Sequence, residues 1–312
     1  MAQAALTSAP ANRSLLSDLA QSRAFLGFAF MLPAAAILLF FLTYPLGLGV
    51  WLGFTDTRLN RPGYFIGFEN YESLMGDPIF WLSVFNTLLY TTVASVLKFL
   101  LGLWLALILN ENLPFKSFFR AIVLLPWVVP TVLSALAFWW IFDSQFSIIS
   151  WVLMKGGLIS SPINFLGDPT NARASVIAAN VWRGIPFVAI TLLAGLQTIS
   201  PSLQEAATLD GATSWQRFRH ITLPLLTPII AVVMTFSVLF TFTDFQLIWV
   251  LTRGGPLNAT HLMATLSFQR FSSGQLGEGA AIAVAMVPFL LTAILFSYFG
   301  LQRRKWQQGG AD

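Results

Sequence analysis

The stretch EAATLDGATSWQRFRHITLPLLTP, residues 205–228, is the longest polar interval in a chain that is otherwise mostly apolar. It joins two charge-free runs, residues 184–204 and 221–243, and four more such runs cover 24–55, 78–97, 121–142 and 279–302. Each approaches or exceeds the roughly 20 residues that cross a bilayer as a helix. The strands of a membrane barrel would instead alternate polar and apolar residues in short segments, and these runs do not. Of the 312 residues, 56% are hydrophobic and only 10% are charged, with a mean hydropathy of +0.73, far outside the soluble globular range. The polar stretch is therefore a water-facing segment of an all-α membrane protein.

Within it, the local signals are those of two short helices. Ser200 followed by Pro201 supplies an N-cap and a proline at the first helical position, and Ser202 with Glu205 has capping-box spacing. Gly211 closes the first helix, because glycine tolerates the left-handed conformation that ends one. Thr213 or Ser214 then caps a second helix through His220, and Pro224 with Pro228 marks where the fifth span begins. Ala206 and Ala207 offer little apolar area but let another backbone approach closely. Asp210 puts a negative charge at a helix C-terminus, which the dipole disfavours by a few tenths of a kcal/mol. The residues alone leave two readings open: a docking face whose partner supplies the compensating group, or a capped loop and nothing more.

Working outward, the runs predict six spans, near 25–52, 80–109, 119–142, 174–197, 224–251 and 279–301, which puts both termini on one side. Arg13, Arg23, Lys116, Arg120, Arg217, Arg219, Arg303, Arg304 and Lys305 flank that face, against Arg58, Arg61, Lys155, Arg173, Arg253 and Arg270 on the other. The larger set marks the cytoplasmic side, so both termini are expected there. The domain plan is an N-terminal segment over 1–23, a six-span body over 24–302 with a cytoplasmic loop at 198–223, and a tail over 303–312. Residues 13–23 are either a short amphipathic helix along the inner surface or a frayed tail. The first run is too long, and too poorly followed by a cleavage pattern, to be a removable signal. The outer loops, residues 53–79, 143–173 and 252–278, carry turn chemistry such as NRPGYFIGFENY, NFLGDPTN and TRGGPLNAT rather than the strands of a separate domain. The net charge of +4 sits at helix ends and is no nucleic-acid footprint. There is no cysteine, hence no disulfide and no thiol chemistry.

Catalytic machinery is not legible. Phosphate cradles place glycine directly before the lysine, and none of Lys98, Lys116, Lys155 or Lys305 follows a glycine. His220 and His261 are predicted on opposite sides of the membrane, which leaves neither a zinc site nor a histidine-based catalytic pair. What stands out are ionisable residues inside spans, which are costly there and are functional candidates by default. Lys98, Arg183 and Asp244 qualify. For Lys98, snorkelling or pairing within the bundle outweighs contact with a solute. Arg183 and Asp244 are predicted at depths only about 5 Å apart, so they are expected to pair. The alternative points Asp244 into a cavity together with Thr241, Thr243 and Gln246. Asn180, Trp182 and Arg183, within NVWRG, and Thr241, Asp244 and Gln246, within TFTDFQLIW, are the pathway candidates, combining planar polar groups with aromatic faces.

The order Glu205-Ala206-Ala207, Asp210-Gly211-Ala212, Phe218, Ile221, Leu223-Pro224 and Pro228 resembles the EAA loop of permease subunits in binding-protein-dependent ABC importers. The Asp-Gly-Ala form is similar to the carbohydrate-uptake branch, that of the maltose and glycerol-3-phosphate permeases. LPAAAILLFFLTYPLGLGVWLGFTD, FIGFENY, FNTLLYT, RAIVLLPWVVP, WRGIPF and LTRGGPLNAT extend the resemblance over most of the chain. It implies a type I importer permease in a bacterial or archaeal cytoplasmic (inner) membrane. It also implies a second homologous permease subunit, two ATPase subunits that bind ATP and Mg, and an external binding protein that delivers a sugar or sugar-like solute, with no cofactor or metal in this chain. Carried over by position, Glu205, Ala206, Ala207, Asp210 and Gly211 are the ATPase-coupling residues. The long external insertion and extra N-terminal spans of the enterobacterial maltose subunit have no counterpart here, so contacts made by those parts are not carried over. Rival classes are an ion-coupled secondary transporter or channel without an ATPase, which leaves the EAA pattern unexplained, and a membrane scaffold.

Overall fold

Prolines and glycines shape the helices of this protein more than its apolar runs do. The computed structural model describes residues 22–308. The surface helix considered for 13–23 falls almost wholly outside them, and so do the side chains of Arg303, Arg304 and Lys305. The first span, a unit by itself, begins as α1 (Arg23–Leu38), capped by Ser22, whose hydroxyl accepts from the Phe25 amide at 3.1 Å. It passes through a π-helical turn at Leu39–Thr43 into α2 (Tyr44–Leu52). The widened turn closes with Tyr44 N–H donating to Leu39 C=O, directly before Pro45. A proline has no N–H to donate and its ring pushes away the carbonyl four residues back, which favours a turn one residue wider.

The remaining elements form the second unit. α3 (Glu69–Gly76) leads to α4 (Pro78–Asn110), and Asp77 caps α4 by accepting from the Ile79 amide at 2.8 Å, with Pro78 in the first turn. After α5 (Lys116–Val128), α6 (Thr131–Ile141) and α7 (Ile148–Lys155) comes α8 (Pro169–Leu196), begun the same way. The Asp168 carboxylate accepts from Thr170 and Asn171 amides at 2.9 Å. Two acid-then-proline starts thus launch the two helices that form the spine of the bundle. They pack closely where Gly102 meets Val188: a Cβ on Gly102 would stand 2.7 Å from Val188 Cγ1 and 3.2 Å from the Ala189 amide. Small residues of this kind let membrane helices approach.

α9 (Pro201–Leu209) and α10 (Ser214–Arg217) make the polar stretch, and a second π-turn, Phe218–Thr222, feeds α11 (Leu223–Phe242). It closes on Leu223, directly before Pro224, repeating the arrangement in the first span. The second helix therefore does not stop at His220 as the sequence suggests; Ser214–Leu251 runs on as one candidate span. α12 (Gln246–Leu251), α13 (Met263–Ser272) and α14 (Leu276–Gln308) complete the chain. α14 continues through most of the segment expected to be a tail.

Three buried clusters hold the spans of the second unit together. Leu103, Leu109, Val188, Leu192, Leu226 and Ile230 join α4, α8 and α11; Tyr90, Ala135, Val176, Leu247 and Ile248 join α4, α6, α8 and α12; Phe80, Phe242, Met263, Leu266 and Ile282 bring in α13 and α14. Among the described residues five helices are long and apolar enough to cross a bilayer, and α5 with α6, bent by 90°, would be a sixth if the pair counts as one span. The apolar run predicts one unbroken span over 119–142. The bend falls at Val129–Pro130, where both residues are extended (ψ 130° and 137°), as the residue before a proline prefers.

On the face opposite the polar stretch, short helices α3, α7 and α13 sit within the three loops, with two isolated bridges, Thr55 to Phe65 and Arg58 to Arg61, and no separate strand domain among the described residues. Arg270 joins Asp77 (2.7 Å) and Glu278 (3.2 Å) there. Arg173 Nε donates to Asn86 Oδ1 and Ala259 C=O, both at 3.0 Å, pinning the loop before α13 to α4 and α8.

Candidate functional site

A cavity of about 410 Å³ opens where two spans are broken. Trp127 and Thr131 reach it from either side of the 90° bend, and Thr241, Thr243, Asp244, Phe245 and Gln246 from the break between α11 and α12. No proline makes the second break. Thr241 and Thr243 instead donate their hydroxyls back to Ser237 C=O (2.5 Å) and Leu239 C=O (2.9 Å), which loosens a helix end. Asp244 lies in the interruption between the two helices. Its carboxylate accepts from Tyr90 O–H at 2.7 Å and Asn180 Nδ2 at 2.9 Å, bonds that span 154 and 64 residues of sequence.

Lys98, 4% exposed, reaches the same cavity and donates to Thr241 Oγ1 at 2.5 Å. Its stem crosses α8 at Gly184, where a Cβ would collide with the lysine Cδ. Arg183 lines the cavity too, yet no ion pair joins it to Asp244 among the described residues. The pairing expected from equal depth is thus not formed, because Asp244 is satisfied by Tyr90 and Asn180. Two buried polar atoms at the cavity residues, Asn180 Oδ1 and Arg183 Nε, are left without a hydrogen-bond partner among the described residues.

Of the sequence candidates, Asn180, Arg183, Thr241, Asp244 and Gln246 converge here. Trp182 does not: it points away from the cavity lining and packs edge-on against Phe138 of α6, ring centroids 5.3 Å apart. One residue off the cavity face of a helix is enough to turn a side chain about 100° aside. Tyr90 and Trp127 were missed. Neither is charged, and in a chain with 29 Phe and 11 Trp a single aromatic carries no signal without its neighbours.

The polar stretch is a second site, on the face reached by the far ends of α4 and α8. α9 begins at Ser200 and Pro201 as expected, but the Ser202–Glu205 box is not made, and Ser202 instead bonds the Ser200 hydroxyl at 2.7 Å. Gly211 has φ +80°. Its N–H donates to Thr208 C=O (3.0 Å), and that of Ala212 to Ala207 C=O (2.9 Å), the two bonds of a Schellman close. Thr213 and Gln216 form a full capping box on α10. Arg217 braces the two helices, donating to Thr208 Oγ1 at 2.8 Å and Ala212 C=O at 3.3 Å, and Gln204 reaches Thr222 Oγ1 at 3.1 Å. Glu205, Ala206, Asp210 and Gly211 are exposed, Ala207 is half-buried, and Leu209 is 89% exposed. A groove of about 920 Å³ runs beside them, lined by Glu205, Trp215, Phe218 and the ends of α4 and α8.

Known proteins share this architecture. Over 295 residues the chain is 36% identical to the trehalose/maltose transport system permease protein MalF of Thermococcus litoralis, covering 94% of this chain and 99% of the relative. It is 38% identical over 259 residues to the sulfoquinovosyl glycerol transport system permease protein SmoG of Agrobacterium fabrum, covering 81% and 83%. A chain of a bacterial ABC transporter involved in the import of the acidic polysaccharide alginate superposes with a TM-score of 0.79 at 26% identity, covering 93% of this chain and 98% of that one. A chain of a bacterial alginate ABC transporter in complex with an alginate pentasaccharide-bound periplasmic protein superposes equally well, with a TM-score of 0.79 at 26% identity, covering 93% and 97%. The family described as the binding-protein-dependent transport system inner membrane component matches residues 98–308, more than half of the chain and all of both sites except Tyr90, and this multi-pass membrane protein belongs to it.

Proposed function

We propose that this chain is the permease subunit of an ATP-driven ABC importer that moves a sugar or sugar-like solute delivered by an external binding protein. The names of its relatives, for trehalose and maltose, sulfoquinovosyl glycerol and alginate, support the solute class. The observation that carries the reading is the braced, exposed α9–α10 hairpin, closed by Gly211 and continuous through the π-turn with the span that lines the cavity. Motion imposed on Glu205, Ala206, Ala207, Asp210 and Gly211 by an ATPase subunit would pass along α11 to the break at Asp244. In this account the hairpin and both termini face the cytoplasm, a homologous permease completes the pathway, and the ATPases hold ATP and Mg. Conversion between inward-open and outward-open states is then a tilt of broken spans rather than a refolding of the core.

The test is purification through a tag on this chain, followed by reconstitution with the solute-binding protein. An ATPase and a second permease should co-purify, and uptake should require internal ATP. Uptake that proceeds in ATP-free vesicles under an ion gradient would sink the proposal in favour of a secondary transporter.

A further inference from the structure

Charge does not balance in the cavity between the broken spans. Lys98 and Arg183 bring two cations to its wall and Asp244 one anion. No ion pair among the described residues joins this anion to either cation; its carboxylate accepts from Tyr90, Asn180 and, at 3.4 Å, the Leu247 amide. Lys98 spends one of its three donor hydrogens on Thr241, and Arg183 Nε is buried with none of its bonds made among the described residues. Asn180, 7% exposed, turns its amide nitrogen to Asp244 and leaves its oxygen without a partner. A buried positive charge within a membrane span is costly unless something answers it. The volume, about 410 Å³, is of the size that holds a small molecule. Trp127, Phe240 and Phe245 give the wall aromatic faces as well as charge.

We propose that this cavity is a site for a sugar bearing a single acid group, a carboxylate, sulfonate or phosphate, whose anion is received by Arg183 and Lys98 while its hydroxyls donate to Asp244 and Asn180 Oδ1. This deepens the importer reading and rests on it. It makes Arg183 and Lys98 specificity residues rather than structural counter-ions. Guanidinium recognises such oxyanions through paired donors, and the lysine acts as a mobile point charge. Gly184 is part of the design, since any side chain there would displace the lysine stem from the cavity.

The experiment is a titration of the assembled transporter, purified through this full-length chain in lipid nanodiscs, with matched acidic and neutral sugars: galacturonate against galactose, digalacturonate against galactobiose, glucose 6-phosphate against glucose. Intrinsic tryptophan fluorescence is the readout, because Trp127 lines the cavity. In at least one pair the acidic member should bind ten-fold or more tightly than its neutral partner. Arg183→Gln should weaken that acid ten-fold more than the neutral sugar, with Lys98→Met showing the same sense and Arg183→Lys retaining part of the preference. Neutral binding equal to or tighter than acidic binding in every pair, or no saturable binding of any sugar, overturns the proposal without need of a variant. If the partner subunit supplies the missing anion, the wild type shows no preference, which is the same overturning result. ATP-driven uptake of neutral sugar in that case leaves the importer reading standing, whereas an assembly that carries no ATPase removes both.

Discussion

Substitution of Gly211 separates backbone geometry from every other property of the exposed hairpin. Gly211 sits at φ +80°, and no heavy atom lies within 4 Å of where its Cβ would be, so a side chain there meets only a conformational penalty. An L-residue held left-handed loses roughly 1–2 kcal/mol. At 1.4 kcal/mol per factor of ten, Gly211→Ala should deplete the native hairpin about 5- to 30-fold relative to its opened forms. Gly211→Val should deplete it further, because a β-branched side chain fits this region worst. Gly211→Asn should stay near wild type, since asparagine visits the same region readily. The buried clusters lie elsewhere, so the melting temperature of the assembled protein should hardly move across the series. The assay is ATP-driven uptake in proteoliposomes loaded with equal amounts of assembled transporter, in the order glycine, asparagine, alanine, valine. Wild-type uptake by Gly211→Val refutes the reasoning. A defect in Gly211→Asn as large as in Gly211→Val does so too, because bulk at an interface, not backbone angle, would then be the cause.

Other substitutions probe the bundle. Gly102→Val should lower the melting temperature through overpacking worth about 1–3 kcal/mol against Val188, and Val188→Ala in the same chain should restore part of it; an unchanged melt would mean α4 and α8 are not in close contact there. In double-mutant cycles on folded yield, Asp244→Ala should couple to Tyr90→Phe by about 1 kcal/mol or more and to Arg183→Ala by less, since the carboxylate bonds the tyrosine and not the arginine; the reverse order would restore the ion pair. His261, in the loop before α13 and 1% exposed, has its pKa lowered from 6.5 to about 4, by burial first and then by the Arg270 charge. The unfolded chain takes up that proton near 6.5 and the folded one only near 4, so this stability is whole above 6.5 and drains as pH falls through the window. Relative to His261→Gln, the wild type should lose up to about 3 kcal/mol more over that range; parallel pH profiles would contradict it.

What could be read in advance was whatever the chain settles locally. The apolar runs locate the spans and Gly211 closes α9 in the predicted geometry, whereas Asp168-Pro169, which reads as loop residues within NFLGDPTN, starts α8 instead. The 90° bend at Val129–Pro130 was visible as a proline, but a proline inside a span is compatible with continuation, as Pro186 in α8 demonstrates. Only the surroundings decide between those outcomes. The break at Asp244 depends on Tyr90 and Asn180, partners 154 and 64 residues away, and equal depth along two helices could not reveal that their side chains would reach Asp244 instead of Arg183. Trp182 does not line this cavity for a related reason: its motif gives its chemistry, while its azimuth on α8 turns it to Phe138.

The central claim is that the hairpin around Gly211, and no other surface, receives the ATPase. Because the sequence holds no cysteine, Leu209→Cys gives a single reactive site on the hairpin, at a position 89% exposed, and Leu257→Cys gives a control 85% exposed in the loop on the opposite face. Each variant is labelled with a maleimide benzophenone in assembled transporter that retains uptake, then irradiated. The account predicts a covalent product between this chain and the ATPase subunit from position 209, with a yield that changes between ATP-bound and nucleotide-free states, and none from position 257. An ATPase product from position 257, or none from 209 in active transporter, would contradict it.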